Sequence, residues 1–255
     1  MSIVLNEHTW AENAIREHEL GRRPYETVSR VAKYYTYEGY KKQEVRKMLD
    51  VFMLACDPTI SLVTWSDTLD SAVRYASKYP LIMIKGIKIT KPEMEKIDTL
   101  SGKQLRRLAF TLLCVAKYLH EVSPSTDFWV TTPDNEIMAM ANINTSIRRQ
   151  SAMYSQLKEA GMIRFSKKID NLSVQVLFAE EGEEVMRVTD YRNLGYQYLM
   201  YHGEPYFVCE NCGITTKIKN PEHNHNAKYC QECAIKVKTR QSVNSVMRRR
   251  LAVKS

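Results

Sequence analysis

Residues 132–179 decide the fold, and they read TPDNEIMAMANINTSIRRQSAMYSQLKEAGMIRFSKKIDNLSVQVLFA. The opening Thr-Pro-Asp is typical of a helix start, because it combines a cap, a proline at the first helical position and an acid in the first turn. This helix is predicted to reach Met140. After a short turn, a second helix is predicted over 145–160, and Gly161 ends it.

Two strands are predicted after these helices, because apolar residues alternate over 162–168 and again over 173–179. A wide apolar face over 101–122 predicts another helix before them. The order helix, helix, short turn, helix and β-hairpin resembles the winged helix-turn-helix superfamily over about residues 101–180. The resemblance implies that the helix from Thr145 lies in a DNA major groove.

An amphipathic helix turns one face toward the core and leaves the other in solvent. For the helix from Thr145, the expected inward face is Ile147, Tyr154, Leu157 and Ala160. Met153 is expected to be exposed with the polar residues near the N-terminal half.

The winged-helix resemblance implies a set of nucleic-acid contacts on this helix and on the hairpin. Arginine can bond guanine through two hydrogen bonds, glutamine can bond adenine, and serine at a helix N-terminus suits a phosphate. The implied contacts are Ser146, Arg148, Arg149, Gln150, Arg164, Lys167 and Lys168. Two alternatives stay open, a solvated charge pair at 148–149 and a protein-binding surface.

Four of the six cysteines form two Cys-x2-Cys pairs that are separated by 17 residues. These four are Cys209, Cys212, Cys230 and Cys233. Two such pairs supply the four thiolates of a tetrahedral Zn²⁺ site, and the pattern resembles a zinc ribbon. Because four protein ligands leave no position for water, the predicted zinc is structural. Cys56 and Cys114 lie in apolar runs and are predicted to be buried thiols.

Positive charge is concentrated at the C-terminal end of the chain. There are 37 Lys and Arg against 29 Asp and Glu, which gives a formal net charge of +8. Residues 234–255 contain no acid. Such a tail favours nonspecific phosphate binding. The tail residues predicted to contact nucleic acid are Lys236, Lys238, Arg240, Arg248, Arg249 and Arg250.

Several function classes find no support in the sequence. No apolar run is long enough for a transmembrane helix, and the N-terminus lacks the pattern of a signal peptide. We therefore expect a cytoplasmic protein without a membrane partner. No P-loop, dinucleotide fingerprint, nucleophile elbow or metalloprotease helix occurs, so the chain is predicted not to be an enzyme. His223 and His225 are interpreted as a polar loop tip.

The predicted fold class is mainly α with small β-hairpins, an α+β protein. Five regions are predicted: a helical N-terminal domain over 1–99, a winged helix-turn-helix domain over 100–190, a linker helix over 191–204, a four-cysteine zinc ribbon over 205–235 and a basic tail over 236–255. Within the first region, 81–84 and 87–90 are expected to form a hairpin or an extended connection. Its apolar surface could support a homodimer.

The combined layout resembles DNA-binding proteins of bacteriophages and mobile elements of Gram-positive bacteria. Lys-Tyr-Cys-Gln-Glu-Cys-Ala at 228–234, followed by basic residues, is its most characteristic stretch. The resemblance implies a DNA partner in a bacterial host cell and a role in phage replication initiation or transcription control. The second hypothesis is a protein-interaction module, for example a phage-encoded inhibitor that binds a host enzyme. An enzyme such as a nuclease is the third.

Overall fold

The computed structural model describes residues 3–167, 173–222 and 226–252, with side chains as far as residue 242. The protein is mixed α/β and 54% helical, and the described residues form ten α-helices and three small antiparallel sheets. The predicted helix-rich α+β class is therefore confirmed. Among the described residues, none of the helices is both long and apolar enough to cross a membrane.

The chain divides into two compact units, Met1–Gly86 and Ile87–Ser255. The helices of the first unit are α1 (Glu7–Glu17), α2 (Pro24–Tyr37), α3 (Lys42–Cys56) and α4 (Leu62–Ala76). Their apolar faces surround a core that includes Val31, Leu49 and Leu69, which are fully buried. Burial of these faces stabilises helices that would be marginal in isolation.

The strand β1 (Ile87–Thr90) pairs with β5 (Glu184–Val188), and Ile87 lies opposite Val188. Of the two alternatives expected for 81–84 and 87–90, the hairpin is therefore wrong, whereas an extended connection agrees with the structure. Met83 instead forms an isolated antiparallel bridge with Asn6. The first compact unit ends at Gly86, so β1 belongs to the second unit, and the predicted domain boundaries stay predictions.

The helix α6 (Lys103–Val122) is the centre of the second unit, and its residues Leu108, Phe110 and Leu112 are fully buried. The elements from α5 to the second small sheet are α5 (Lys91–Asp98), α6 (Lys103–Val122), η1 (Pro124–Thr126), β2 (Trp129–Val130), α7 (Asp134–Met140), α8 (Ile147–Glu159), β3 (Ile163–Phe165) and β4 (Val174–Val176). The strands β2, β4 and β3 form one antiparallel sheet in that order. The three helices predicted over 101–160 and the hairpin after them are thus present.

The C-terminal elements follow β5. They are α9 (Leu194–Tyr201), β6 (Tyr206–Val208), β7 (Thr215–Lys217) and α10 (Gln231–Ala252). The strands β6 and β7 form an antiparallel pair, with Phe207 opposite Thr216. A short helix thus lies in the predicted linker, and the segment predicted as a basic tail belongs to α10 as far as Ala252.

The inward face of α8 differs from the predicted one. Ile147 is 80% exposed and Ala160 is exposed, whereas Met153 is buried. The buried stripe follows Met153, Tyr154 and Leu157, which is the i, i+1, i+4 part of one helical face. Ile147 is the first residue of the helix and Ala160 is its C-cap, so both lie at ends that this stripe does not reach.

Candidate metal centre and nucleic-acid interface

The first cysteine pair lies between strands β6 and β7, and the second pair lies at the start of α10. Strand β6 leads directly into Cys209, whose N–H donates to the carbonyl of Ile214 at 3.0 Å. Gly213 has a φ of +75°, a conformation that glycine adopts readily, and its N–H donates to the Cys209 carbonyl at 2.9 Å. Cys230 precedes α10, and Cys233 lies in its first turn.

The four sulfur atoms lie within 4.8 Å of one another, and the Sγ atoms of Cys212 and Cys230 are 3.8 Å apart. Tetrahedral zinc with Zn–S distances of about 2.3 Å requires sulfur separations of about 3.8 Å. All four cysteines are free thiols. The cluster could therefore hold a metal ion such as zinc, as the spacing predicted.

The surroundings separate the pKa values of the first two thiols. Burial raises the pKa of Cys209, but backbone N–H groups, including that of Cys230, donate to its Sγ and lower the pKa to about 6. Burial raises the pKa of Cys212 to about 12, and the neighbouring thiols add to this effect although the N–H of Ile214 opposes it. One thiolate thus forms readily, while a second beside it needs a cation to offset the repulsion.

Outer contacts hold the cysteine pairs in place. The side-chain amide of Asn211 donates to Cys233 Sγ at 3.2 Å, and the N–H of Cys230 donates to Cys209 Sγ at 3.3 Å. The guanidinium of Arg192, which is paired with Asp190, donates to the Cys212 carbonyl at 2.5 Å. Such outer partners fix the orientation of metal ligands.

Asparagine side chains connect the cysteine hairpin to the rest of the unit, and sequence reasoning missed them. Asn193 precedes α9, and its Nδ2 donates to the Thr215 carbonyl in β7 at 2.9 Å. Asn142, in the turn between α7 and α8, contacts Asn193, and its own carbonyl accepts from Arg107 at 3.1 Å. Both asparagines have positive φ, a conformation in which asparagine is enriched. An asparagine in a turn or directly before a helix was therefore the signal that the sequence offered.

The predicted contacts on α8 have different surroundings. Ser146 is the N-cap, and its hydroxyl accepts from the Arg149 N–H at 3.4 Å. Arg148 and Arg149 are exposed, and neither guanidinium has an acidic partner among the described residues. Gln150 is half-buried and donates to the Thr145 carbonyl at 3.0 Å, so its amide is partly used within the protein.

The predicted contacts outside α8 lie on β3, beyond it and on α10. Arg164 is exposed on β3, with its guanidinium 5.8 Å from the centre of the Trp129 ring. Lys167 is exposed as well. On α10, Lys236, Lys238 and Arg240 are exposed. Outside the described part lie Lys168, His223, His225 and the side chains of Arg248, Arg249 and Arg250.

The structure thus brings the four cysteines together, while the predicted basic contacts remain distributed over three elements. No protein-family model matches the chain, and neither a curated protein nor a solved structure matches it.

Proposed function

We propose that the chain is a zinc-containing DNA-binding protein that reads DNA with α8. The observation that carries the proposal is the exposed pair Arg148 and Arg149 on the first turn of a helix that precedes a small hairpin. Zinc at the four-cysteine cluster would be structural, because four thiolates complete a tetrahedral shell.

The order of elements supports a winged helix-turn-helix arrangement. A helix, a short strand, two helices and two strands follow one another as α6, β2, α7, α8, β3 and β4, and the sheet has the order β2, β4, β3. The Tyr154 hydroxyl donates to Asp134 Oδ1 at 3.0 Å and so joins α8 to α7. In this arrangement α8 would enter the major groove, and the hairpin with Arg164 would meet the backbone or the minor groove.

The charges around α8 support contact with a polyanion. Because Arg148 and Arg149 have no acidic partner in the described part of the chain, a phosphate or a guanine edge need not compete with an internal ion pair. The exposed basic residues of α10 would add sequence-independent attraction. We propose that the process served is phage replication initiation or transcription control.

The test is equilibrium binding of the zinc-loaded protein to a mixed-sequence duplex between about 50 mM and about 200 mM salt. We expect a steep loss of affinity with salt, because each neutralised phosphate releases counterions. The double variant Arg148→Ala/Arg149→Ala should bind more weakly. The control Arg22→Ala/Lys78→Ala removes two exposed charges from the first unit and should leave binding nearly unchanged.

A protein-interaction module is the second candidate, because exposed apolar side chains lie on α8 and β3, the elements that carry Arg148, Arg149 and Arg164. Ile147 on α8 is 80% exposed and Phe165 on β3 is 40% exposed. Apolar groups of this kind are anchors of protein interfaces. Absence of duplex binding at both salt concentrations would contradict the DNA proposal and favour this candidate.

A further inference from the structure

We infer a binding site for a nucleoside phosphate in the first unit, between α2 and α4. The site does not depend on the function proposed for the second unit. Two adjoining cavities of about 190 Å³ and about 430 Å³ share the lining residues Tyr25, Ser29 and Tyr75. The smaller one is the inner cavity, which also contacts buried charges, and the larger one is the outer cavity. Together they match the size of small-ligand sites, about 300–1,000 Å³.

Buried charges line the inner cavity. Glu7, Arg30 and Lys33 are 2%, 4% and 5% exposed. Lys33 Nζ donates to Glu7 Oε2 at 2.9 Å, and Arg30 Nε lies 3.4 Å from Glu7 Oε1. A single buried carboxylate is thus shared between two buried cations. Buried charges cost folding free energy unless their hydrogen-bonding groups are satisfied. A functional role would explain why the protein keeps this cluster.

The ammonium group of Lys33 has more donors than the protein uses. It carries three N–H groups, and Glu7 is the one hydrogen-bond acceptor it has within the described residues. Nζ also lies over the Tyr75 ring, with 5.4 Å between Nζ and the ring centre. Because Lys33 lines the inner cavity, the remaining donors can be satisfied by oxygen atoms placed there.

The acidic partners of these cations are unevenly distributed. Glu26 pairs with Arg30 at 3.5 Å and with Arg23 at 3.1 Å. Lys33, by contrast, has Glu7 as its one acidic partner among the described residues. An anion that carries several acceptor oxygens, such as a phosphate, would satisfy the remaining donors of Lys33.

The outer cavity offers aromatic surface and polar groups. Tyr25 stacks on Trp65 with 4.9 Å between ring centres, yet Tyr25 is 64% exposed, so its second face is open to solvent. Tyr75 is 40% exposed at the same cavity. The hydroxyl and carboxylate groups that line the cavity are on Ser29, Asp67, Thr68 and Ser71.

These features match the parts of a nucleotide. A planar base would stack on the open face of Tyr25, as bases do on exposed aromatic side chains. The hydroxyl groups and Asp67 would hydrogen-bond the sugar and the edge of the base, and the phosphate would contact Lys33 in the inner cavity. This chemistry is shared by a free mononucleotide and by an unpaired nucleotide within a strand.

The test measures binding of the four nucleoside 5′-monophosphates to the full chain by calorimetry and saturation-transfer NMR. Nucleosides, ribose 5-phosphate and inorganic phosphate serve as partial ligands. We expect at least one monophosphate to bind saturably and roughly tenfold more tightly than any partial ligand, since stacking and phosphate contacts contribute together. Competition by a single-stranded oligonucleotide indicates the strand as the source, and its absence indicates the free nucleotide.

Variants locate the site. Tyr25→Ala should weaken binding roughly tenfold, because it removes the stacking surface. The matched control Tyr37→Ala changes an exposed tyrosine at the far end of the same helix and should bind normally. Lys33→Met should remove phosphate binding. Because Lys33→Met leaves Glu7 without a bonded ammonium and can fail to fold, Ser71→Trp, at an exposed position of the outer cavity, provides a second block.

Three results would overturn the inference. They are the absence of saturable binding by every mononucleotide and oligonucleotide, equal affinity for inorganic phosphate alone, and binding that both Tyr25→Ala and Ser71→Trp leave unchanged. The Arg148→Ala/Arg149→Ala variant should keep full mononucleotide affinity, which separates this site from α8.

Discussion

Asn142 and Asn193 are joined through their side-chain amides, with Nδ2 of Asn142 donating to Oδ1 of Asn193 at 2.8 Å. Their φ angles are +55° and +56°. Asn142 Oδ1 also accepts from the Tyr196 N–H at 3.2 Å, and Asn193 Nδ2 donates to the Thr215 carbonyl. One chain of hydrogen bonds therefore links the turn before α8 to the hairpin that carries the first cysteine pair.

The variant Asn142→Ala should destabilise the protein by about 3 kcal/mol, because it loses two side-chain hydrogen bonds and places a Cβ in the left-handed region without the asparagine amide. Asn142→Gly loses the same hydrogen bonds without the backbone strain, so it should be less destabilising. The measurement is denaturant unfolding of the zinc-loaded protein. Asn144→Ala, at an exposed position of the same turn, is the control, and a loss of equal size there would contradict this account.

Gly195 allows α9 to approach the backbone of Ala141 closely. A Cβ at position 195 would lie 2.0 Å from the Ala141 carbonyl oxygen, and Arg107 would be 3.1 Å away. Gly195→Ala should therefore cost about 3 kcal/mol or more, since the obstacle is backbone. A Cβ added at Gly203 would have no atom within 4 Å, so Gly203→Ala tests the effect of a positive φ alone. Thermal unfolding gives the midpoint temperature of each variant. Equal midpoints for Gly195→Ala and Gly203→Ala would show that α9 does not approach the Ala141 backbone closely.

Purified protein should contain one zinc per chain, bound by the four clustered thiolates. Cys209→Ser should lose the metal and destabilise the β6–β7 hairpin and the start of α10, because metal binding supplies folding energy. Native mass spectrometry gives the stoichiometry. Cys56, which was predicted to be buried, is half-buried in the first unit, and Cys56→Ser should retain zinc. A Cys209→Ser protein that is fully folded and zinc-loaded would refute the site.

Zinc affinity should rise with pH, because binding requires thiolates and releases protons. With a pKa of about 6, Cys209 is a thiolate at neutral pH and a thiol in acid. Below that pH, binding must displace one more proton than above it, so the loss of affinity should become steeper. A chelator-competition titration from about pH 5 to about pH 8 measures this. Affinity that does not change over this range would contradict thiolate ligation.

The triple variant Lys236→Gln/Lys238→Gln/Arg240→Gln should bind duplex DNA more weakly and with a smaller salt dependence. The slope of log affinity against log salt should fall by about 0.9 for each phosphate contact that is lost. These residues are exposed on α10, beyond Cys233, so zinc content should not change. Fluorescence anisotropy at several salt concentrations provides the slope. An unchanged slope would mean that this part of α10 does not contact DNA.

Local chemistry made much of the second unit predictable. The cysteine cluster was predictable from spacing. Each Cys-x2-Cys turn places two sulfur atoms together, and two such pairs are typical of one four-cysteine metal site. The predicted helix over 101–122 matches α6, since its apolar face recurs along many turns. The exposure of Arg148 and Arg149 was predicted as well, although their role remains a prediction.

Long-range pairing and the ends of elements were not predictable in the same way. The partner of β1 is β5, and nothing within 81–90 indicates a strand so far along the chain. On α8, the positions of Ile147 and Met153 depend on which residues α6 and the sheet cover, and periodicity alone does not fix that. The α2–α4 cavity also escaped prediction, because Glu7 of α1 meets Arg30 and Lys33 of α2 only after these two helices pack together.

The most direct test of the proposed DNA-binding function is selection of bound sequences from a random duplex pool by the zinc-loaded protein, at low and moderate salt. We expect enrichment of a defined sequence at both salt concentrations, and loss of that enrichment with Arg148→Ala/Arg149→Ala. Failure to retain any duplex at either salt concentration, with zinc bound and the protein folded, would contradict the DNA-binding proposal.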